Sequence, residues 1–272
     1  MSPKCRKELT LSPQNSECKI RWFGLFMDNA LLVGLNSQEM LRRRMDLVAN
    51  NLANMNTAAF KAEVALNDLV IQRPSEANDT PEDIRFTQVE RMHRDMTAGT
   101  LRQTGGPLDF GLAEANAFFS VRVGEETYYT RDGQFALDEL SRLVTHEGAM
   151  VLDEGGNEMV FDPEGGPPTV SETGMIRQGN VEIGRLGIYQ FETPDALEKS
   201  GGNLWSPAGQ EPEAAELPKL QQGVVEQSNV NAISEITRMI EISRAYTSAS
   251  RLVKDADELR KTAISKLGST QA

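Results

Sequence analysis

The residues of this chain that most invite a chemical reading are two tripeptides, His93-Arg94-Asp95 and Asp109-Phe110-Gly111. HRD and DFG are how a protein kinase writes its catalytic base and its magnesium ligand. That chemistry also needs an Asn five residues past the base, and Thr100 stands there. No glycine-rich loop or strand lysine pattern precedes them, so the phosphoryl-transfer reading fails on mechanism. Metal chemistry fares no better, because His93 and His146 lie far apart and no cysteine follows Cys18. His146 precedes Glu147-Gly148 and reads as an exposed turn residue. Neither a G-x-S-x-G elbow nor a G-x-x-x-x-G-K phosphate cradle occurs. The expectation is a protein without catalysis, cofactor or small-molecule substrate.

A different chemistry is concentrated in "MDLVANNLANMNTAAFK", residues 45–61, which holds Asn50, Asn51, Asn54 and Asn56. Asparagine weakens a helix because its short amide competes for nearby backbone groups. Two uses would compensate. Asn54 or Asn56 can end the helix, since Asn tolerates left-handed angles. Alternatively, the amides can hydrogen-bond across to a second helix or a second chain.

The composition narrows the possible partners. The chain has 272 residues and a formal net charge of -12, which disfavours nucleic acid and anionic membrane because both require a positive field. Residues 1–26 differ, with Lys4, Arg6, Lys7, Lys19 and Arg21 against Glu8 and Glu17, and they hold both cysteines, Cys5 and Cys18. From Met27 onward neither a disulfide nor a thiolate site can form. The apolar run Trp22–Phe26 is too short for a secretory signal, and no stretch approaches the roughly 18 apolar residues of a membrane span. Met27, with Asp28-Asn29 behind it as a helix start, marks residues 1–26 as a dispensable leader.

The elements that must carry these residues follow from periodicity. Leu31, Gly34, Gln38, Leu41, Met45, Val48, Leu52 and Met55 alternate spacings of three and four, the rhythm of a coiled-coil seam. Met239, Ile242, Tyr246, Ala249, Val253, Ala256, Arg260, Ala263 and Leu267 repeat it near the other end. Ile233, Ile236 and Ile240 add a second apolar face there, and two faces imply two neighbours. Between the helices, "FFSVRV" (118–123), "TYYTRDGQFAL" (127–137), "RLVTHEGAMVL" (142–152), "EMVF" (158–161) and "GRLGIYQF" (184–191) read as strands. Asp132-Gly133, Glu147-Gly148, Gly155-Gly156, Gly165-Gly166 and Gly201-Gly202 punctuate them as turns that call for positive φ. "RPSEANDTPEDI", from residue 73, reads as an exposed loop. The expected fold is α+β: a leader (1–26), an N-terminal helix and loop (27–63), an inserted all-β domain (64–223) and a C-terminal helix (224–272), the two helices pairing as a coiled coil.

"MDNALLVGLNSQEMLRRRMDLVANNLANMNTAAFKAE" (27–63) resembles the start of bacterial flagellar rod and hook proteins, with their "NNLAN" followed by "T-x-G-F-K". "GVVEQSNVNAISEITRMIEISRAYTSASRLVKDADEL" (223–259) looks like their C-terminal signature. The centre agrees: "QTGGPLDFGLAEANAFFSV" (103–121) and "YYTRDGQFALDELSRLVTHEGAMVL" (129–152) are similar to the family's "TG-PLD…FF-V" and "YTR-G-F…D-G-LVT-G--VL". The "MDN" opening is most similar to the proximal rod members. Two departures stand out. Ala59 occupies the glycine of "T-x-G-F-K", which puts the backbone angle there in question, and "AEAN" (113–116) lacks the glycines usual before "FF".

The resemblance implies a structural subunit of the basal-body rod, exported unfolded through the flagellar type III apparatus without cleavage and placed in the periplasm. It implies that the terminal helices pair, stack against other proximal and distal rod proteins, and are poorly ordered until they do. On that view the assembly interface comprises Leu31, Met45, Val48, Asn50, Asn51, Leu52, Asn54, Phe60, Lys61, Asn229, Asn231, Met239, Ile242, Tyr246, Ala249 and Val253, with the asparagines acting between chains. The rival reading is a coiled-coil adaptor with a β domain.

Overall fold

A computed structural model describes residues 16–72, 84–215 and 217–269, with side chains for 32–65, 93–215 and 217–266. Most of the segment read as an acidic loop, and the first part of the leader, lie outside these residues. Two long helices bracket a β-rich middle, α1 (Ser16–Ala53) and α2 (Ala232–Ser269). The chain divides into two compact units.

The first unit comprises Met1–Asp46, Asn67–Val89 and Arg238–Ala272. It holds most of both helices and most of a two-stranded sheet, β1 (Glu63–Gln72) with β2 (Ile84–Arg94). Helix α1 is described from Ser16, ahead of the Asp28-Asn29 start expected from sequence. On α1, Gly34, Gln38, Leu41 and Met45 are half-buried, whereas Leu32, Val33 and Leu35 are exposed. On α2, Met239, Ile242, Ala249, Val253 and Ala256 are half-buried, and Tyr246 stays 37% exposed. The two stripes meet at one close approach: a Cβ on Gly34 would lie 2.6 Å from Val253 Cγ2. The side chains of Leu31 and Leu267 lie outside the described residues.

The second unit comprises Leu47–Leu66 and Glu90–Thr237. Its short strands begin with β3 (Leu101–Gln103), β4 (Phe110–Leu112), β5 (Ala117–Val123), β6 (Glu126–Thr130), β7 (Phe135–Leu137), β8 (Leu143–Thr145) and β9 (Met150–Val151). They continue through β10 (Pro168–Val170), β11 (Met175–Gln178), β12 (Val181–Arg185), β13 (Ile188–Gln190), β14 (Glu198–Gly201), β15 (Leu204–Ser206), β16 (Glu213–Ala214), β17 (Leu220–Gln222) and β18 (Val224–Glu226). Nine of them form one antiparallel sheet centred on β5, which pairs with β6 on one side and with β9 and β13 on the other. The "EMVF" segment makes only isolated bridges, Leu152 with Glu158 and Arg142 with Val160.

Strand alternation explains why β5 is central. Ala117, Phe119 and Val121 enter one hydrophobic cluster with Phe110, Phe135 and Ile176. Phe118, pointing the opposite way, enters another with Tyr129, Phe191, Leu197 and Trp205. Phe118 and Phe191 meet edge to face at 5.6 Å. A strand buried on both faces reads in sequence as a continuous apolar run, which "AFFSV" is.

The glycine turns fall as expected except one. Gly148, Gly156, Gly166, Gly201 and Gly202 take positive φ. Gly133 does not: a Cβ there would lie 1.7 Å from Phe110 O, so glycine is needed for close approach rather than for a left-handed angle.

Its neighbour Asp132 accepts the Gln134 N–H at 3.0 Å, and burial pushes its carboxyl up from 3.8 to about 6. Because the folded value lies above the unfolded one, stability falls as pH rises through that window. Asp132→Asn keeps the acceptor and discards the charge. The variant should be more stable than the parent by about 1–3 kcal/mol at pH 7.5, and the gap should close near pH 4, as read from urea midpoints at the two pH values.

Candidate functional site

Where the terminal segments enter the second unit, charged and amide side chains are buried together. Lys61, Arg131 and Glu226 are 2%, 1% and 1% exposed. Lys61 Nζ donates to Glu226 Oε1 and to Thr97 O, both at 2.7 Å. Arg131 Nε donates to Glu226 Oε2 at 2.8 Å. Arg131 Nη2 lies 2.7 Å from the same oxygen but without hydrogen-bond alignment, so that contact is ionic only. The Gly99 N–H donates to Glu226 Oε1 at 2.8 Å.

Nη1 of the guanidinium is held by a turn. Arg131 Nη1 donates to the carbonyls of Glu114, Ala115 and Ala117 at 2.8, 2.8 and 2.7 Å, and the group stacks over the Phe118 ring at 5.6 Å. The "AEAN" segment is this turn. None of its residues takes positive φ, so the absence of glycine there costs nothing.

One carboxylate shared by two cations has a definite electrostatic signature. Burial pushes Glu226 up, but Arg131 and Lys61 together outweigh it and hold its carboxyl below the usual 4.5. Burial pulls Lys61 below 10.5, and Glu226, already committed to Arg131, only partly restores it. Glu226 therefore contributes stability that is present above pH 4.5 and lost as pH falls through its lower folded value. Lys61 carries a burial cost that is constant at neutral pH and relieved only on approach to pH 10.5.

A layer of amides surrounds the ions. Asn51, 1% exposed, accepts the Glu63 N–H and donates to Glu63 O, both at 2.9 Å, and Nδ2 also lies 3.4 Å from Glu235 Oε2. Asn229 accepts the Ala62 N–H at 2.8 Å and donates to Asp95 O at 2.7 Å. Asn231 Oδ1 accepts from the N–H groups of Ile233 and Ser234, capping α2. Asn54 Nδ2 donates to Asn50 O at 2.9 Å, one residue beyond the last of α1, and its Oδ1 accepts from Thr57 at 3.1 Å. Among the residues expected at an interface between chains, Val48, Asn51, Phe60 and Lys61 are buried within this one. The hydrogen bonds of Asn51 and Lys61 given above are made within the chain. Leu52, Asn54 and Asn229 are half-buried, and Asn50 and Asn231 exposed. Met55, expected in the seam, lies past the end of α1 and is 38% exposed.

Ala59 resolves the question its position raised. It takes the left-handed angle, φ 53, and its N–H donates to Glu226 O at 2.9 Å. The shallow cleft beside it, about 240 Å³ and lined in part by Asn56, Arg102, Gln134 and Gln227, borders Glu226, a carboxylate already engaged by both cations. Among the described residues no group of three His, Cys, Asp or Glu could hold a metal ion, and no helix is long and apolar enough to cross a membrane.

Family signatures described as "Flagella basal body rod protein", "Flagellar hook protein FlgE/F/G D1 domain" and "Flagellar basal body rod FlgEFG protein C-terminal" match residues 31–61, 113–195 and 221–266. The flagellar basal-body rod protein FlgF of Caulobacter vibrioides is 37% identical over 243 residues, covering 89% of this chain and 99% of that protein. The chain belongs to the flagellar basal-body rod family. FlgF of Mesorhizobium japonicum is 32% identical over 246 residues, 89% of this chain and 99% of its own. FlgG of Bacillus subtilis is 27% identical over 256 residues, 86% of this chain. As a rod-family member the protein is structural, not an enzyme.

The rod-family frame shows what sequence reasoning missed. Arg131 lies in "YTRDG" and Glu226 in "GVVEQ", both inside stretches that carry the resemblance, yet a charge in an acidic chain gives no sign of burial. The cluster generates two predictions. A left-handed alanine costs about 1–2 kcal/mol, but Ala59→Gly also loses a buried methyl worth about 0.8 kcal/mol and frees the unfolded chain by about 0.4–1 kcal/mol. These nearly cancel, so the glycine variant should match the parent within about 1 kcal/mol, while Ala59→Val should lose clearly more in the same denaturation assay. Glu226→Gln leaves two buried cations without a counter-charge and should cost about 3–5 kcal/mol at pH 7. That loss should shrink in acid, where the parent's own carboxylate is protonated.

Proposed function

We propose that this chain is a structural subunit of the proximal rod of the flagellar basal body, assembling through its terminal helices with other proximal and distal rod proteins into the shaft that crosses the periplasm and serves swimming and swarming. Export would run through the flagellar type III apparatus without a cleaved signal. The observation that carries this reading is the apolar surface left on the two helices. Leu32, Val33 and Leu35 on α1, and Ile233, Ile236, Ile240, Leu252, Leu259 and Ile264 on α2, are all exposed. Such side chains along two helices at opposite ends of one chain are what an assembling subunit requires.

Within the subunit, the half-buried stripes and the Gly34–Val253 approach support pairing of α1 with α2 as a coiled coil, with the glycine allowing close contact. The exposed stripe Ile233, Ile236 and Ile240 then serves a neighbouring subunit. Asn50, exposed and accepting only from Asn54 among the contacts above, and Asn56, also exposed, are the members of the asparagine cluster best placed to meet another chain.

The test is a pair of chromosomal substitutions. Ala249→Asp sets a charge on the half-buried stripe of α2, and an unpaired charge there is not absorbed. Lys261→Gln removes an exposed partner of Asp257, a surface pair worth little. Swimming and recovery of the subunit in purified basal bodies should be lost in the first and kept in the second, with export unchanged in both. Basal bodies containing Ala249→Asp at parental level would refute the packing, and basal bodies lacking the parental chain would refute the rod reading itself.

A further inference from the structure

We propose that the Lys61–Glu226–Arg131 cluster makes the roots of the terminal helices, residues 47–66 and 224–237, part of the folded body of the free subunit, so that only the helix lengths beyond them wait for a partner. The proposal rests on the structural-subunit reading for its purpose but not for its test. Three parts of the chain converge on one buried carboxylate: Lys61 from the N-terminal root, Glu226 from the C-terminal root, and Arg131 from the sheet. Neither root can leave alone. Withdrawing Lys61 breaks its bonds to Glu226 and Thr97, and withdrawing Glu226 strands two buried cations. The amides strengthen the coupling, because Asn229 of one root holds Ala62 of the other, and Asn51 of one reaches Glu235 of the other.

Burial falls along α1 from its root, and in the root of α2 it is confined to one side chain. On α1 Leu47, Val48 and Asn51 are buried whereas Leu32, Val33 and Leu35 are exposed; on α2 Glu235 is buried in the root although Ile233 and Ile236 beside it are exposed, and Leu252, Leu259 and Ile264 farther along are exposed as well. A helix that leaves so much apolar surface in water cannot offset the entropy of its own ordering. A root already held in helical form removes a different cost. The first turn of α2 is capped by Asn231, and the last turn of α1 is fixed by Asn51. Nucleation, the slow and unfavourable step of helix formation, is therefore complete before assembly, and a partner has only to favour propagation.

Hydrogen–deuterium exchange of the full chain, kept dilute and monomeric, tests this. Amides of 49–61 and 224–235 should exchange as slowly as those of 117–121, and amides of 32–44 and 240–264 at least about a hundredfold faster. In Lys61→Met and in Asn229→Ala both roots should lose protection together, by about tenfold, although each substitution lies in one root only, while 117–121 stays protected. Equal protection of 32–44 and 49–61 in the parent would overturn the proposal. So would a variant that releases one root and spares the other, or one that opens 117–121 along with them. The exchange pattern reads the free chain and is indifferent to basal-body composition, so its failure is distinct from failure of the rod reading.

Discussion

The fold depends on one carboxylate answering two cations out of contact with water. A buried ion pair is a poor source of stability, because desolvation consumes most of the Coulombic gain, but an incomplete one is severely unfavourable. That asymmetry imposes order on everything near Glu226. Arg131 Nη1 donates to three carbonyls that the turn at 114–117 bends onto it, while Nη2 is held to Glu226 by charge alone. Lys61 must find a second acceptor, and Thr97 provides one. Ala59 adopts an angle that alanine resists in order to place its N–H on the Glu226 carbonyl. The strain at Ala59 is small beside the several kcal/mol that an unpaired charge would cost, so the local rule yields.

What the sequence discloses follows from which physics is periodic. The two helices and the strand at 118–123 carry apolar residues at regular spacing, and as elements they are visible without a structure. Asp132-Gly133 looks like any turn, and nothing in the dipeptide says that Gly133 is there for the Phe110 carbonyl. The ion cluster is less legible still. Its members stand at 61, 131 and 226, separated by whole domains' worth of chain, and each alone is one charge among many in an acidic protein. Resemblance to a family located the stretches that contain them but could not say that their side chains face inward.

The asparagines show how one observation admits more than one geometry. Four amides at the end of a helix do need partners, and those partners turned out to lie mostly in the same chain. Asn51 serves as donor and acceptor to a single backbone residue, Glu63, which no apolar side chain could do. Leucine there would leave a buried N–H and C=O unpaired at about 1–3 kcal/mol each. Asn54 performs the plainer task of closing a helix. Helix termination and bonding across to a second helix or a second chain are the two uses the sequence offers; Asn54 serves the first, and Asn51 bonds chiefly to a strand residue of its own chain.

The two compact units express two different solutions to the same energetic problem. The β-rich unit buries Phe110, Phe118, Phe119 and Phe191 almost completely and has hydrophobic clusters on both faces of its central strand. The helical unit leaves Leu32, Val33, Leu35, Ile240, Leu252, Leu259 and Ile264 in water and places glycine inside a helix, which costs about 1 kcal/mol relative to alanine. At Gly34 that cost has a geometric counterpart, since any Cβ would press on Val253. A glycine that weakens the isolated helix and admits a close neighbour shifts the balance from intrinsic to contact-dependent order. The helices are thus built to depend on what packs against them, and the buried cluster at their roots is what lets that dependence stop short of the β core.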